Sequence, residues 1–242
     1  MKRPVILVVN DDGIEAPGIR VLAQTASRLG DVFVAAPESQ CSAMSQRISI
    51  YDPIRIRRAA FPADVKGAWS VGGTPADCVK AALEGLLPVR PDLLFSGIND
   101  GFNTGFDIAY SGTVGAAMEG LMQGIPAIAF SNAYREDFSL LERELFPLMC
   151  ELAGEPAGPD MIWNVNFPGG GLEGFRGIRR EQRVARMQLY LDDFAAQRQP
   201  DGSLLLHNRG SLVPPDRAPE GTDVHAVLNG YISVGRVRCA VL

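Results

Sequence analysis

The sequence predicts an α/β fold: a Rossmann-like, doubly wound and mostly parallel sheet, followed by a β-rich C-terminal appendage. Continuous apolar, β-branched runs alternate with segments of helical periodicity through the first part of the chain. Each apolar run stops at a cluster of turn-forming residues. After residues 154–159 the helical periodicity gives way to short apolar runs separated by Gly, Pro and charge.

Taken in order, Val5–Val9 is an unbroken apolar run ended by Asn10-Asp11-Asp12-Gly13, the pattern of a strand buried on both faces. Over residues 16–29, Ile19, Leu22, Ala23, Ala26 and Leu29 recur at helical spacing, and Gly30 stops the helix. Residues 32–36 form a second strand closed by Pro37, which completes a crossover unit and makes the two strands parallel. Residues 39–69 are less regular and receive no assignment. Beyond them a helix opens at Thr74-Pro75 and runs to about Leu87, and residues 92–96 read as a strand. A helix over 114–123 and a strand over 125–131, introduced by Gly124 and broken at Asn132, repeat the unit. A further helix spans 136–152, and Gly154, Pro156, Gly158 and Pro159 then break the pattern. The tail carries apolar runs at 162–165, 203–206 and 231–234 and no clear helix. One domain over 1–242 is expected, with the α/β core in about residues 1–135 and the β-rich region in about 160–242. Ligands of such sheets bind beyond the carboxyl ends of the strands, which is where chemistry is sought.

Composition narrows the partners. At 242 residues, with 46% hydrophobic and 21% charged residues, the chain can bury a core without staples. A net charge of −5 provides no positive field for a nucleic-acid polymer or an anionic membrane, so any phosphate must be gripped locally. Four scattered cysteines and two histidines argue against a zinc site. The apolar run before Asn10 is too short for a signal peptide or a membrane span, so a cytoplasmic protein with reduced thiols is expected.

Asn10-Asp11-Asp12-Gly13 places two carboxylates and an amide oxygen at the end of the first strand, a set of hard donors suited to Mg²⁺ or Mn²⁺. By itself the tetrapeptide reads first as an Asx turn with an aspartate capping the next helix. Ser96-Gly97-Ile98-Asn99-Asp100-Gly101 ends a later strand at the same sheet edge, with turn formation as its alternative, and Asn103, Asp107, Ser111 and Thr113 continue the polar run. Ser111-Gly112-Thr113 precedes a helix, so free backbone N–H groups and two hydroxyls would face an anion; a plain N-cap is the alternative there, as at Gly72-Gly73-Thr74-Pro75. Together, oxygen ligands at two strand ends and anion-binding turns at two helix starts suggest metal-assisted phosphoryl hydrolysis. No GxGxxG, GxxxxGK[ST] or GxSxG motif follows the strands, which disfavours dinucleotide oxidoreductases, P-loop NTPases and α/β-hydrolases.

The same segments resemble the stationary-phase survival protein SurE family of 5′/3′-nucleotidases. The likeness lies in Val9-Asn10-Asp11-Asp12-Gly13 with Ala16-Pro17-Gly18, Ala36-Pro37 with Ser42, Gly73-Thr74-Pro75-Ala76-Asp77-Cys78-Val79, Ser96-Gly97-Ile98-Asn99 with Gly101 and Asn103, and Tyr110-Ser111-Gly112-Thr113. It covers residues 4–131 and returns at 164–168, 221–223 and 230–233. The resemblance implies one divalent ion per subunit, Mg²⁺ or Mn²⁺, held by Asp11, Asp12, Ser42 and Asn99. Ser42 takes its role from the resemblance alone. It also implies a homodimer or homotetramer through exchange of C-terminal elements, which makes the β-rich region an oligomerisation region. Two departures stand out: Ala43 where the family has Gly after Ser42, and Val234-Gly235-Arg236 with a short end at Leu242 where relatives continue differently.

The expected reaction is hydrolysis of nucleoside 5′- and 3′-monophosphates, with short-chain polyphosphate as a further substrate. Asp11 and Asp12 are the expected catalytic residues, the sequence leaving open whether one acts as base or nucleophile. Asn10, Gly13, Asn103, Ser111, Gly112 and Thr113 are the expected phosphate contacts. A metal-binding nucleotide sensor without turnover and a general phosphomonoesterase are the rival readings.

Overall fold

The structure, a computed structural model, describes residues 3–135 and 138–242. Strand β1 (Val5–Val9) is followed by α1 (Pro17–Ala26), β2 (Asp31–Pro37), β3 (Ile56–Arg58), β4 (Gly67–Val71) and α2 (Pro75–Ala81), which continues as a π turn over Ala82–Leu86. Next come β5 (Leu93–Asp100), a 3₁₀ turn at Gly105–Ala109, α3 (Gly112–Met122), β6 (Ala127–Asn132), α4 (Ser139–Gly154) and β7 (Met161–Phe167). The remainder holds α5 (Gly171–Gly174), β8 (Gly177–Arg179), β9 (Tyr190–Leu191), β10 (Phe194–Arg198), β11 (Leu204–Asn208), β12 (Ser211–Leu212), a 3₁₀ turn at Pro215–Arg217, α6 (Asp223–Leu228) and β13 (Tyr231–Arg238).

Nine strands form one sheet in the order β3-β4-β2-β1-β5-β6-β7-β13-β8. From β4 to β7 every pairing is parallel; β3 runs antiparallel to β4, and β13 antiparallel to β7. The strand order reverses between β1 and β5, and Val9 stands level with Ser96 there, so the residues beyond both strands share one crevice. Asn99 is level with Ser131, and Ser131 with Asn166, which extends that edge across β6 and β7.

The expected burial of β1 on both faces holds. Ile6 and Val8 pack on one face with Ile19 and Leu22 of α1 and Leu141, Leu145 and Leu148 of α4. Leu7 and Val9 pack on the other with Val79 of α2 and Ala117 and Leu121 of α3. Alternate residues of one strand thus feed two cores, which is why the run shows no polar position.

Three expectations need adjustment. The tail does contain helices: α6 begins at the N-cap Thr222, whose hydroxyl accepts from the His225 amide at 3.3 Å. Its six residues, like the four of α5, are too few to show a helical period. Second, β7, β13 and β8 continue the main sheet, and among the described residues only the pairs β10–β11 and β9–β12 stand apart from it. Third, the unassigned stretch supplies β3 and β4 at the sheet edge, where β3 is exposed throughout and lacks the apolar signature of its neighbours. The helix start expected at Glu136 lies outside the described residues, and α4 runs to Gly154.

Candidate active site

Beyond β1 the chain turns on Asn10. Its Oδ1 accepts from the Gly13 amide at 3.3 Å, and its Nδ2 donates to the Gly13 carbonyl at 2.9 Å. Gly13 takes φ +102°, a conformation that L side chains rarely adopt. The Asx turn is therefore real, but no aspartate caps the following helix: α1 starts at Pro17, and its N-cap Ala16 makes no side-chain cap. Asp11 and Asp12 are left to line two adjoining clefts.

Asp11 is buried, with 3% of its surface exposed. Its Oδ1 accepts from the Thr113 hydroxyl, and the backbone amides of Thr113 and Asp11 add weaker hydrogen-bond support to the carboxylate. Gly112 packs against it so closely that a Cβ there would lie 2.9 Å from the Asp11 Cβ. Burial pushes the Asp11 carboxyl from 3.8 up to about 6; the Thr113 hydrogen bond opposes the shift and the neighbouring Asp12 charge adds to it. Asp12 is raised too, chiefly by burial, against the Asp100 amide that donates to its Oδ2 at 3.0 Å. A buried carboxylate held above its ordinary pKa, with a second carboxylate beside it, is a site that a cation would stabilise.

Ser42 reaches the site on a loop pinned at three points. The Cys41 amide donates to the Asp11 carbonyl at 2.7 Å, and the Ser45 amide and hydroxyl donate to the Tyr110 and Ala109 carbonyls at 2.9 and 2.6 Å. Gly115 of α3 makes room for this loop, since a Cβ there would stand 2.2 Å from the Ser45 carbonyl oxygen. Ala43 adopts φ 58°, the left-handed conformation, at the position where the resemblance led one to expect glycine. Ala43→Gly should therefore raise stability by about 0.5–1 kcal/mol, the relief of a left-handed alanine less the added freedom of an unfolded glycine. A thermal melt that moves downward contradicts this.

Asn99, at the end of β5, donates through Nδ2 to the Gly101 carbonyl at 2.7 Å, so its Oδ1 is turned away with no partner among the described residues. Asn103 is fixed from β7. Its amide donates to Asn166 Oδ1 at 2.8 Å, its carbonyl accepts from Asn164 and Asn166 at 2.9 and 3.1 Å, and its Nδ2 donates to the Ser131 hydroxyl at 2.8 Å. Ser111 caps α3, its hydroxyl accepting from the Val114 amide at 3.1 Å.

Asp11, Ser42, Asn99, Asn103 and Ser111 line one open cleft of about 400 Å³, together with Asp107, Tyr110, Tyr134 and Tyr190. Asp12 lines the adjoining cleft of about 500 Å³ with Gln40 and Arg135, and the two share Asn99 and Asp100. Asn10, Gly13, Gly112 and Thr113 line neither cleft: Asn10 and Gly13 form the turn, while Gly112 and Thr113 press on Asp11 from α3. Sequence reasoning missed Tyr134 and Tyr190 in the wall and Asn164 and Asn166 behind it. The two buried amides, alternating within an otherwise apolar strand, were the available signal. Another cavity of about 480 Å³, at the amino ends of β5 and β6, is lined by Leu121, Pro126, Leu152, Met161 and Trp163 and by no titratable side chain.

The donors fit a hard divalent cation. Two carboxylates, a hydroxyl and an amide oxygen suit Mg²⁺ or Mn²⁺, and no group of three or more His, Cys, Asp or Glu forms a softer or more charged cage among the described residues.

The chain and its fold resemble those of known proteins. Residues 6–189 match the family model described as Survival protein SurE. The chain is 40% identical over 243 residues to a 5'-nucleotidase SurE of Polaromonas naphthalenivorans, with 95% of this chain and 89% of that one covered. It is 44% identical over 236 residues to a 5'-nucleotidase SurE of Gemmatimonas aurantiaca, at 95% and 90% coverage. The crystal structure of the SurE protein from Aquifex aeolicus superposes with a TM-score of 0.83 at 34% identity, covering 99% of this chain and 95% of that one.

Proposed function

The chain belongs to the Survival protein SurE family, and from that premise we propose that it is a metal-dependent 5′-nucleotidase, hydrolysing nucleoside 5′- and 3′-monophosphates to nucleoside and phosphate. The observation that carries this is the cleft itself: a buried carboxylate, neutral oxygen donors and a helix start all converge where the strand order reverses.

Asp11, Asp12, Ser42 and Asn99 would hold one Mg²⁺ or Mn²⁺ per subunit. When bound, the ion supplies charge neutralisation at the phosphoryl oxygens and a water of lowered pKa. The residues of the chain do the rest. The Thr113 hydroxyl fixes the Asp11 carboxylate, and the Asp100 amide holds Asp12. Ser111 and Asn103 line the wall where the remaining phosphate oxygens would lie, and the first-turn amides of α3, Gly112 and Thr113, turn the positive end of the helix toward the same point. Both carboxylates would hold the ion, and one of them, Asp11 or Asp12, would also orient the attacking water.

Short-chain polyphosphate belongs to the same reading, because the wall groups grip phosphate rather than sugar. Inorganic-phosphate release from 5′-AMP, 3′-AMP, 5′-UMP and tripolyphosphate, each with Mg²⁺ or Mn²⁺, tests it. Release from the nucleotides is expected, and binding without release from any of them would favour the sensor.

We also propose a homodimer or homotetramer assembled through the C-terminal region. Phe194, Leu204, Leu205 and Leu206 of the β10–β11 hairpin are exposed on a pair of strands that no larger sheet covers, which a second subunit would bury. A cytoplasmic location is supported by four free cysteines, and no helix among the described residues is long and apolar enough to cross a membrane.

A further inference from the structure

The cleft that holds Asp11 does not end at its aromatic rim. Phe102, Tyr134 and Tyr190 also form the near wall of a second cleft of about 690 Å³, whose far side is built by Arg176, Leu228 and Asn229. Tyr190 is the shared partition, and it is held in place. Its phenol oxygen accepts from the Phe102 amide at 3.2 Å, and its own amide and that of Leu189 donate to Asp107 Oδ2 at 3.3 and 2.9 Å. Its hydroxyl and the Asn99 side-chain amide flank Gly101, where a Cβ would lie 3.7 Å from both Tyr190 Oη and Asn99 Nδ2.

The far side offers both hydrogen-bond polarities. Asn229 donates through Nδ2 to the His225 carbonyl at 2.9 Å, leaving Oδ1 without a partner among the described residues. Arg176 spends one Nη1 bond on the Asn229 carbonyl at 3.3 Å and stacks 5.0 Å from the Tyr231 ring, so its other N–H groups remain open. An aromatic wall facing an acceptor and a fork of donors suits a planar, neutral heterocycle with mixed edges. The cleft on the opposite side of Asn99 carries Asp12, Asp100 and Arg135 and a single ring, Phe138, and so lacks that combination.

We propose that this second cleft is the base subsite, in which the substrate's nucleobase stacks against Tyr190 while Asn229 and Arg176 meet its polar edge. The proposal rests on the nucleotidase reading for the identity of the substrate. It assigns selectivity between nucleotides and simple phosphate esters to residues of the C-terminal half, apart from the residues proposed to hold the ion.

The test uses the full-length protein and a nucleoside without phosphate, in EDTA, so that it does not depend on turnover. Adenosine binding is followed by saturation-transfer NMR or calorimetry. Wild type is expected to bind adenosine weakly and ribose 5-phosphate more weakly still under these conditions. Tyr190→Ala should raise the adenosine Kd by about fivefold or more, as expected for the loss of a stacking ring, while Tyr190→Phe, which keeps the ring and gives up the bond from Phe102, should stay within about twofold. Asn229→Ala, which leaves the partition untouched, should change the ratio of adenosine to uridine affinity. Absence of adenosine binding, equal Kd values for wild type and Tyr190→Ala, or an equal loss in Tyr190→Phe would each overturn the proposal. Adenosine binding as described, with no phosphate release from any nucleotide, would leave the subsite standing and sink the nucleotidase reading instead.

Discussion

Asp11→Asn is expected to lower phosphate release from 5′-AMP by at least about a thousandfold, roughly 4 kcal/mol of transition-state stabilisation, because the substitution removes the buried charge on which the proposed ion would depend. The fold survives: an asparagine Oδ1 still accepts from Thr113, and the side chain keeps its volume against Gly112. Stability should move the other way. In the metal-free protein the Asp11 carboxyl titrates near 6 instead of 3.8, with burial as the main cause, so between those values the folded state binds the more protons. Stability therefore falls as pH rises through that window. In EDTA, Asp11→Asn is expected to melt above wild type at neutral pH and to lose this part of the pH dependence. Addition of Mn²⁺ should raise the wild-type melting temperature and leave the variant where it was. A variant with near-normal turnover, or one that gains as much stability from Mn²⁺ as wild type does, contradicts the assignment.

Asp223→Ala should cost about 3–9 kcal/mol, because three buried N–H groups lose their acceptor at about 1–3 kcal/mol each. The Asp223 carboxylate accepts from Gly105, Ala185 and Val224 at 2.9, 2.9 and 2.8 Å. It is thereby the knot between the loop after β5, the segment that leads to Tyr190 and the start of α6. The Phe106 amide, donating to the Met187 carbonyl at 2.8 Å, closes the same contact, and Gly105 is compelled there by a Met187 oxygen 2.2 Å from where its Cβ would be. Burial raises the Asp223 carboxyl against the pull of these amides, so the carboxylate is held at some cost. The expected loss approaches the whole stability of an ordinary domain. Urea denaturation measures it; a loss under about 1 kcal/mol would show that water or a shifted backbone replaces the carboxylate.

What the sequence reveals follows from the range over which each signal acts. β1 is legible because both of its faces are buried and five consecutive positions have no freedom to be polar. The Asn10–Gly13 turn and Asn99 are legible as sites because strand ends gather at one edge in this fold class, so two short polar clusters 88 positions apart could be placed together before any coordinates. Ser42 is different. Its loop is shaped by a carbonyl on β1's turn, by two carbonyls before α3 and by the space over Gly115, none of which has a local pattern, and left-handed Ala43 sends no warning from its residue type. Tyr190 is illegible for the same reason on a larger scale: Asp107 and Phe102, more than 80 positions earlier, bring it to the cleft. Likewise, the clamp on Asn103 spans about 60 residues and is written as two amides in a strand that otherwise reads as core.

The most direct test of the account is phosphate release from 5′-AMP by EDTA-treated protein before and after Mn²⁺ is restored. The account predicts no release in EDTA, full recovery when Mn²⁺ is added, and no recovery in Asp11→Asn. Undiminished release in EDTA, or recovery in the variant, would contradict it.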